Sequence, residues 1–360
     1  MIKKSNIIIG PCAMESKEQM DIVCKQSLNL GFVNIRASIY KPRTSSGCFE
    51  GLKDSAFPIV EYIRKTYPDI NLFTEIPDGT ELKKCIDHGI ENFWIGSRTA
   101  TNPFSVQSIA DAIKDINPNN IHSIGIKNPM NKDAALWIGA YNRIKSTGIQ
   151  PYMIFRGIST GEENVLRNSL DWDFVNEVKI ALPSVKFILD PSHIAGKSSF
   201  VPSITIGGNY TGLFDGAIIE VHPNPTEALT DAKQQLTFDE IDALAKALDA
   251  KINYLITDSE ISTLNELRNS LDSLDYKMHK YFQKYLGIRR VLTDRIGEIK
   301  AEHSESVYNP KRIAQIFENI DNMGFGQDAQ IHKQIFKLIH KDSVNRQLGI
   351  MSDMNKKMLF

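Results

Sequence analysis

At 360 residues and a formal net charge of −1, the chain is long enough for two domains and carries no global field to recruit nucleic acid or an acidic membrane surface. No apolar run approaches the roughly 20 residues needed to span a bilayer, and the isoleucine run in the opening MIKKSNIIIGPC is too short for a secretory signal. Four cysteines, Cys12, Cys24, Cys48 and Cys85, show no CxxC pairing, which suits reduced thiols in the cytoplasm rather than a disulfide framework.

Eight short apolar runs follow in order: NIIIG at 6–10, VNIRA at 33–37, INLFTEI at 70–76, ENFWIGS at 91–97, HSIGIKN at 122–128, PYMIFRG at 151–157, VKFILDP at 185–191 and GAIIEVHP at 216–223. Amphipathic stretches such as FPIVEYIRKTY and DAALWIGAYNRIKSTG lie between them, with Gly, Pro and Asn at the joints. Strands alternating with helices imply parallel βα units, and eight such units predict an α/β fold of the closed (β/α)8 TIM-barrel type. An open doubly wound sheet is the competing architecture, but no G-x-G-x-x-G follows the first strand.

Polar residues recur where each strand ends. Cys12 follows the first strand, Arg36 and Lys41 the second, Arg98 the fourth, Lys127 the fifth and Arg156 the sixth; Glu75 sits in the third. The seventh and eighth supply Asp190, His193, Glu220 and His222, with Asp231 shortly after. In a barrel these ends share one face. Arg36, Lys41, Arg43, Arg98, Lys127 and Arg156 would then form a cation cluster without matching acidic partners, which demands an anionic ligand such as phosphate or carboxylate. One imidazole and two carboxylates at such ends suit a borderline divalent cation. The plain alternative is a pair of ordinary loop histidines, His193 and His222, beside solvated carboxylates.

After about Leu248 the texture changes. From Glu260 to Glu302 there is no proline, and apolar residues such as Leu264, Leu271, Met278, Tyr285, Leu292 and Ile299 fall at helical spacing. One long helix is expected, followed by shorter ones near Pro310–Met323 and Asp328–Leu348. The reading is a barrel over 1–249, a linker over 250–260 and a small all-α domain over 261–360. A helix that long cannot bury its stripe on itself and needs further helices from its own chain or a partner chain, so the small domain is expected to be dimeric. Arg268, Arg289, Lys300 and Arg312 lie on or near its apolar face.

The barrel motifs GPCAMES (10–16), RASIYKPRTS (36–45), IGSR (95–98), IK (126–127), FRG (155–157), DPSH (190–193) and EVHPNP…ALTDAKQQL (220–236) resemble the class I 3-deoxy-D-arabino-heptulosonate 7-phosphate (DAHP) synthases, in the compact type I beta branch. The segments LRNSLDSLD (267–275), RRVLTDRIGEIK (289–300), NPKR (309–312) and KDSVNRQ (341–347) resemble the all-helical chorismate mutases. The resemblance implies a bifunctional enzyme of the shikimate pathway, cytoplasmic and dimeric or tetrameric through the helical domain. A divalent metal, Mn2+ or similar, would be held by Cys12, His193, Glu220 and Asp231. Phosphoenolpyruvate would sit against Arg36, Lys41, Arg98, Lys127 and Arg156, and the phosphate of erythrose 4-phosphate against Arg43, Thr44 and Ser45. Lys41 and Asp190 would serve the condensation.

In the second domain the resemblance assigns chorismate carboxylates to Arg268 and Arg289, the ether oxygen to Lys300 and Gln347, and further lining to Arg312 and Ser343. Prephenate would be the product, and prephenate or chorismate a feedback inhibitor of the barrel. Ile313 stands where many members carry a glutamate, and Asn309 where an aspartate is common. The alternative is a synthase whose C-terminal domain is only a regulatory ligand-binding and dimerisation module.

Overall fold

A computed structural model of the chain describes residues 2–42, 47–117, 120–159, 166–249, 258–303, 305–306, 310–322 and 329–358. It divides into two compact units, Met1–Ile252 and Asn253–Phe360. The first unit is the expected closed barrel of eight parallel strands in sequence order: β1 (Ile7–Gly10), β2 (Asn34–Arg36), β3 (Asn71–Ile76), β4 (Asn92–Ile95), β5 (Ser123–Lys127), β6 (Tyr152–Phe155), β7 (Phe187–Leu189) and β8 (Gly216–Glu220). Closure is made by β1 against β8, with Ile7 opposite Ala217 and Gly10 opposite Glu220.

The strands are almost continuously apolar because both faces are covered. Alternate residues separate into two cores. Ile7, Ile9, Ile35, Ile124, Ile126, Ala217 and Ile219 pack outward under the helices. Ile8, Phe73, Trp94, Ile154, Ile188 and Ile218 pack inward, filling the barrel. Two residues further along each strand, the same inward parity reaches Gly10, Arg36, Glu75, Gly96, Lys127, Arg156, Asp190 and Glu220. Sequence periodicity thus lifts a charged layer directly above an apolar one.

The two glycines in that layer are required by space. A Cβ on Gly10, whose φ is +137°, would strike the Arg36 carbonyl oxygen, and one on Gly96 would strike the Glu75 carboxylate. The surrounding helices are capped conventionally: Ser16 accepts from Gln19 N at 3.0 Å, and Asp78 from Thr80 N at 2.7 Å. All four cysteines are free, and Cys12, Cys24 and Cys85 are buried.

Among its described residues the second unit has three helices, Asp258–Glu302, Pro310–Asn322 and Ala329–Met358. The first and third pack together where Gly297 brings its backbone against Gln347, a Cβ there lying 3.3 Å from the Gln347 Cα. Arg346 clamps Asp294 through both carboxylate oxygens at 2.9 and 2.6 Å. No helix among the described residues is long and apolar enough to cross a membrane.

Candidate active sites

The barrel site grows out of ring closure. β1 neighbours both β2 and β8, so Cys12, just past β1, lies between Arg36 and Glu220. Arg36 Nη2 is 3.1 Å from Glu220 Oε1, with both side chains fully buried. The Arg36 Nε donates to the Pro11 carbonyl at 3.2 Å, and its guanidinium lies 5.1 Å from the centre of the Trp94 ring. The Lys127 ammonium is 2.7 Å from Asp190 Oδ2. Asp190 also caps the short helix Pro191–Ala195, accepting from His193 N at 3.1 Å, and meets the His193 ring Nδ1 at 3.0 Å. Arg156 is held from below by Asn128, whose Oδ1 accepts its backbone N–H at 2.8 Å, and from the side by Asn168 at 3.3 Å.

The sequence reading expected cations without acidic partners. The structure corrects this: within the inward layer three cations (Arg36, Lys127, Arg156) are matched in number by three carboxylates (Glu75, Asp190, Glu220). Burial demands the balance, because an unpaired charge in that layer would be expelled or neutralised. Net positive charge comes from the wall, where Lys41, Arg98 and Arg167 join Arg156 and Lys127 around a cavity of about 410 Å³ that also reaches Glu75, His193 and Asp231.

Burial pushes the Arg156 guanidinium down to about 10, with Asp190 opposing and Arg167 and Arg98 adding to the fall; it stays protonated at neutral pH. Burial also lowers Lys127, against the pull of Asp190. For Lys41 burial works the same way, but Cys12, Glu220, Glu75 and Asp231 outweigh it and raise its pKa. Asp190 is held well below the ordinary carboxylate range because His193 and Lys127 overcome its burial.

Cys12, Glu220 and Asp231 bring one ligand atom each within 4.8 Å of one another, and His193 Nε2 lies 3.8 Å from Glu220 Oε1. Thiol, imidazole and two carboxylates suit a borderline divalent ion. Lys41 Nζ donates to Cys12 Sγ at 2.7 Å, and the thiol reaches Asp231 Oδ2 at 3.3 Å. Even so, burial first and Glu220 second push the Cys12 pKa far up, so the lysine alone does not make a thiolate; a second cation would. The Arg36 approach to Glu220 Oε1 is off the hydrogen-bonding direction, and that buried oxygen keeps no hydrogen-bond partner. It is the atom a metal would satisfy. Asp231 is one of two non-glycine residues with positive φ among the described residues (+48°), a conformation that costs energy and turns its carboxylate inward.

Several contributors lay outside the sequence reading. Gln234 donates to Glu220 Oε2 at 2.7 Å, and Arg167 donates to Gln234 Oε1 at 2.8 Å while lying 3.4 Å from Asp231 Oδ1. Their signal was the KQQL run beside Asp231 and the lone arginine in RNSL. His222 does not join the site: its Nδ1 accepts from Asn224 N at 3.0 Å, and its Nε2 faces Glu15 at 3.5 Å. Arg43, Thr44 and Ser45 lie outside the described residues.

In the helical unit, Arg289, Thr293, Gly297 and Lys300 recur at intervals of four, four and three along the first helix; Ser343 and Gln347 face this polar row from the third. Thr293 and Ser343 hydroxyls meet at 3.5 Å, and Gln347 is buried with its Oε1 unpartnered. An adjoining cavity of about 330 Å³ is lined by Ile316, Phe317, Phe336, Lys337, His340, Lys341 and Val344. The Arg289 guanidinium stands 5.2 Å from the Phe336 ring centre. Arg312 is exposed and donates to Gln315 at 2.7 Å. Arg268 is exposed on the same helix as Arg289; 21 residues (289 minus 268) of unbroken helix put them roughly 30 Å apart, so one chain does not unite them. Asn309 lies outside the described residues.

The fold and the first site define a (β/α)8-barrel enzyme with an anion-binding mouth. Residues 3–255 match the DAHP synthetase I family, and the chain belongs to it; residues 267–348 match chorismate mutase type II. The chain is therefore a two-domain enzyme of the shikimate pathway, with DAHP synthase and chorismate mutase domains in that order. It is 30% identical over 256 residues to the phospho-2-dehydro-3-deoxyheptonate aldolase of Thermotoga maritima, covering 69% of this chain and 72% of that one. The crystal structure of a Thermotoga maritima DAHP synthase aligns with a TM-score of 0.59 and 26% identity, covering 68% of each chain. Similarity extends to the 2-dehydro-3-deoxyphosphooctonate aldolase of Francisella philomiragia, 24% identical over 242 residues and covering 62% of this chain and 83% of that one.

Proposed function

We propose that the barrel, residues 1–249, condenses phosphoenolpyruvate with erythrose 4-phosphate to give DAHP and inorganic phosphate, in a metal-dependent reaction. The supporting observation is the charged inward layer with Cys12, Glu220 and Asp231 at its edge. Lys127, Arg156 and Arg98 hold the carboxylate and phosphate of phosphoenolpyruvate, and Arg43, Thr44 and Ser45 the sugar phosphate. Two anions that repel in water are thereby brought into reacting distance. C3 of the enol attacks the aldehyde carbon, water adds at C2, and the C2–O bond to phosphate breaks. Cys12, His193, Glu220 and Asp231 would hold a divalent ion such as Mn2+, which when bound polarises the aldehyde oxygen. Lys41, protonated and directed at Cys12, stabilises negative charge at that edge, and Asp190 orients His193 and neutralises Lys127.

The helical domain, residues 261–360 after a linker at 250–260, is proposed to rearrange chorismate to prephenate. Lys300 and Gln347 donate to the ether oxygen; Arg289, Arg312 and Ser343 line the site; Arg268 serves the site of a second copy. The last role accounts for an arginine roughly 30 Å from Arg289. A stripe of exposed apolar side chains, Tyr281, Tyr285, Ile288, Leu292, Ile296 and Ile299, supports pairing of chains through this helix. Buried, inert thiols at Cys24 and Cys85, each pushed up to about 12 chiefly by burial, fit a cytoplasmic enzyme.

Prephenate or chorismate on the helical domain is proposed to inhibit the barrel. The test is DAHP formation by the full chain with and without saturating prephenate. A fall in rate or in substrate affinity is expected; unchanged kinetics would leave two independent enzymes on one chain.

A further inference from the structure

The third helix, Ala329–Met358, places His340, Ser343, Val344 and Gln347 on one face at intervals of three and four. His340 lines the 330 Å³ cavity, and its Nε2 is buried without a hydrogen-bond partner. Arg289 Nε across the seam and Gln347 Oε1 two turns along are buried and unpartnered as well. One is a donor, one an acceptor, and the imidazole serves as either. Three desolvated polar atoms gathered at one seam are matched only when something polar enters between them.

Among the described residues, the charges that act on His340 or line its cavity are of one sign. Arg289 and Lys300 act on it from the first helix, Lys337 and Lys341 line the same cavity from its own, and the second helix contributes apolar Ile316 and Phe317 there. The nearby Asp342 is paired with Arg290. Burial first, then Arg289 and Lys300, keep the ring below the ordinary histidine pKa, so it is neutral in the free protein at pH 7.

The geometry points to His340 as a ligand-binding side chain of the helical domain that takes up one proton when a dicarboxylate binds against Arg289 and Lys300. The inference rests on the proposed mutase reading and assigns a residue which that reading leaves out. A dianion cancels the field that keeps the ring neutral and offers an acceptor for its buried N–H. The proton comes from solvent, and no bond in the ligand changes. Because the ligand favours the protonated ring, affinity rises as pH falls through the pKa of the complex, and the gain levels off below the pKa of the free protein.

The experiment is calorimetric titration of the full chain with prephenate at pH 7, in two buffers of different ionisation enthalpy. Uptake approaching one proton per site is expected. In His340→Leu the uptake should vanish and Kd should weaken about tenfold; in His340→Gln it should vanish with a smaller loss, since the amide still donates. On the unmodified chain, the His340 Cε1 resonance should move to its imidazolium position at saturation, a readout that needs no variant to fold. Binding without proton uptake, uptake undiminished in both variants, or a ring that stays neutral overturns the inference alone. Absence of both prephenate binding and chorismate turnover would overturn the mutase reading and this inference with it.

Discussion

At the barrel mouth Arg36 and Lys127 each meet a carboxylate from the same layer, whereas in the helical unit Arg289 faces an aromatic ring and keeps a buried Nε without an acceptor. The inward layer of the first site is balanced by its own chain before any substrate arrives, and only the wall above it stays net positive. The second gathers positive charge, orphaned polar atoms and, on the neighbouring stripe of the same helix, exposed apolar side chains. A barrel binds its walls into a closed ring, so it can bury ion pairs and hold them in register. Three helices have no such closure, and their site is finished by what they bind.

The sharpest separation of the two sites is metal removal. Chelation should lower DAHP formation on the order of a thousandfold, the several kcal/mol that Lewis-acid stabilisation supplies, and leave chorismate consumption untouched. Equal loss of both activities would contradict independent chemistries. The converse experiment is Lys300→Ala, expected to cut chorismate turnover by roughly a hundred- to a thousandfold through loss of a donor to developing negative charge. DAHP formation measured on the same sample should not change. Smaller, and confined to the barrel, is the effect of Gln234→Leu. Glu220 Oε2 would lose its donor, and metal affinity measured by competition with a chelator should fall about 10–100-fold. Smallest is Ile296→Ala in the exposed stripe. Sedimentation should show self-association weakened roughly tenfold, the ~1.5 kcal/mol of a buried aliphatic side chain. No change in self-association would move the dimer contact away from this helix.

Much of the barrel was legible because its chemistry is tied to strand period. Arg36, Lys127, Arg156, Asp190 and Glu220 each stand two residues beyond an inward position, and alternation alone carries them into one layer. Their mutual pairing was not legible. That Arg36 meets Glu220 depends on β1 lying between β2 and β8, a fact of closure that no local pattern encodes. Arg167 and Gln234 were missed for a related reason: both sit in connections, where period carries no information and only the folded path brings them to Asp231. His340 was overlooked because its helical register gives it a core position, and a histidine there reads as packing until its buried Nε2 is found unpartnered.

Ring closure also sets an order in time. The hydrogen bond from Cys12 N to Gln235 Oε1 spans 223 residues of sequence, and the strand that supplies Glu220 is the last of the eight. During synthesis the chain must carry Arg36 without its counter-charge until β8 emerges. Cys12, Glu220 and Asp231 therefore come together only when the last strand closes the ring. A chain cut short before Glu220 carries the cations of the mouth without the strand that closes the ring around them.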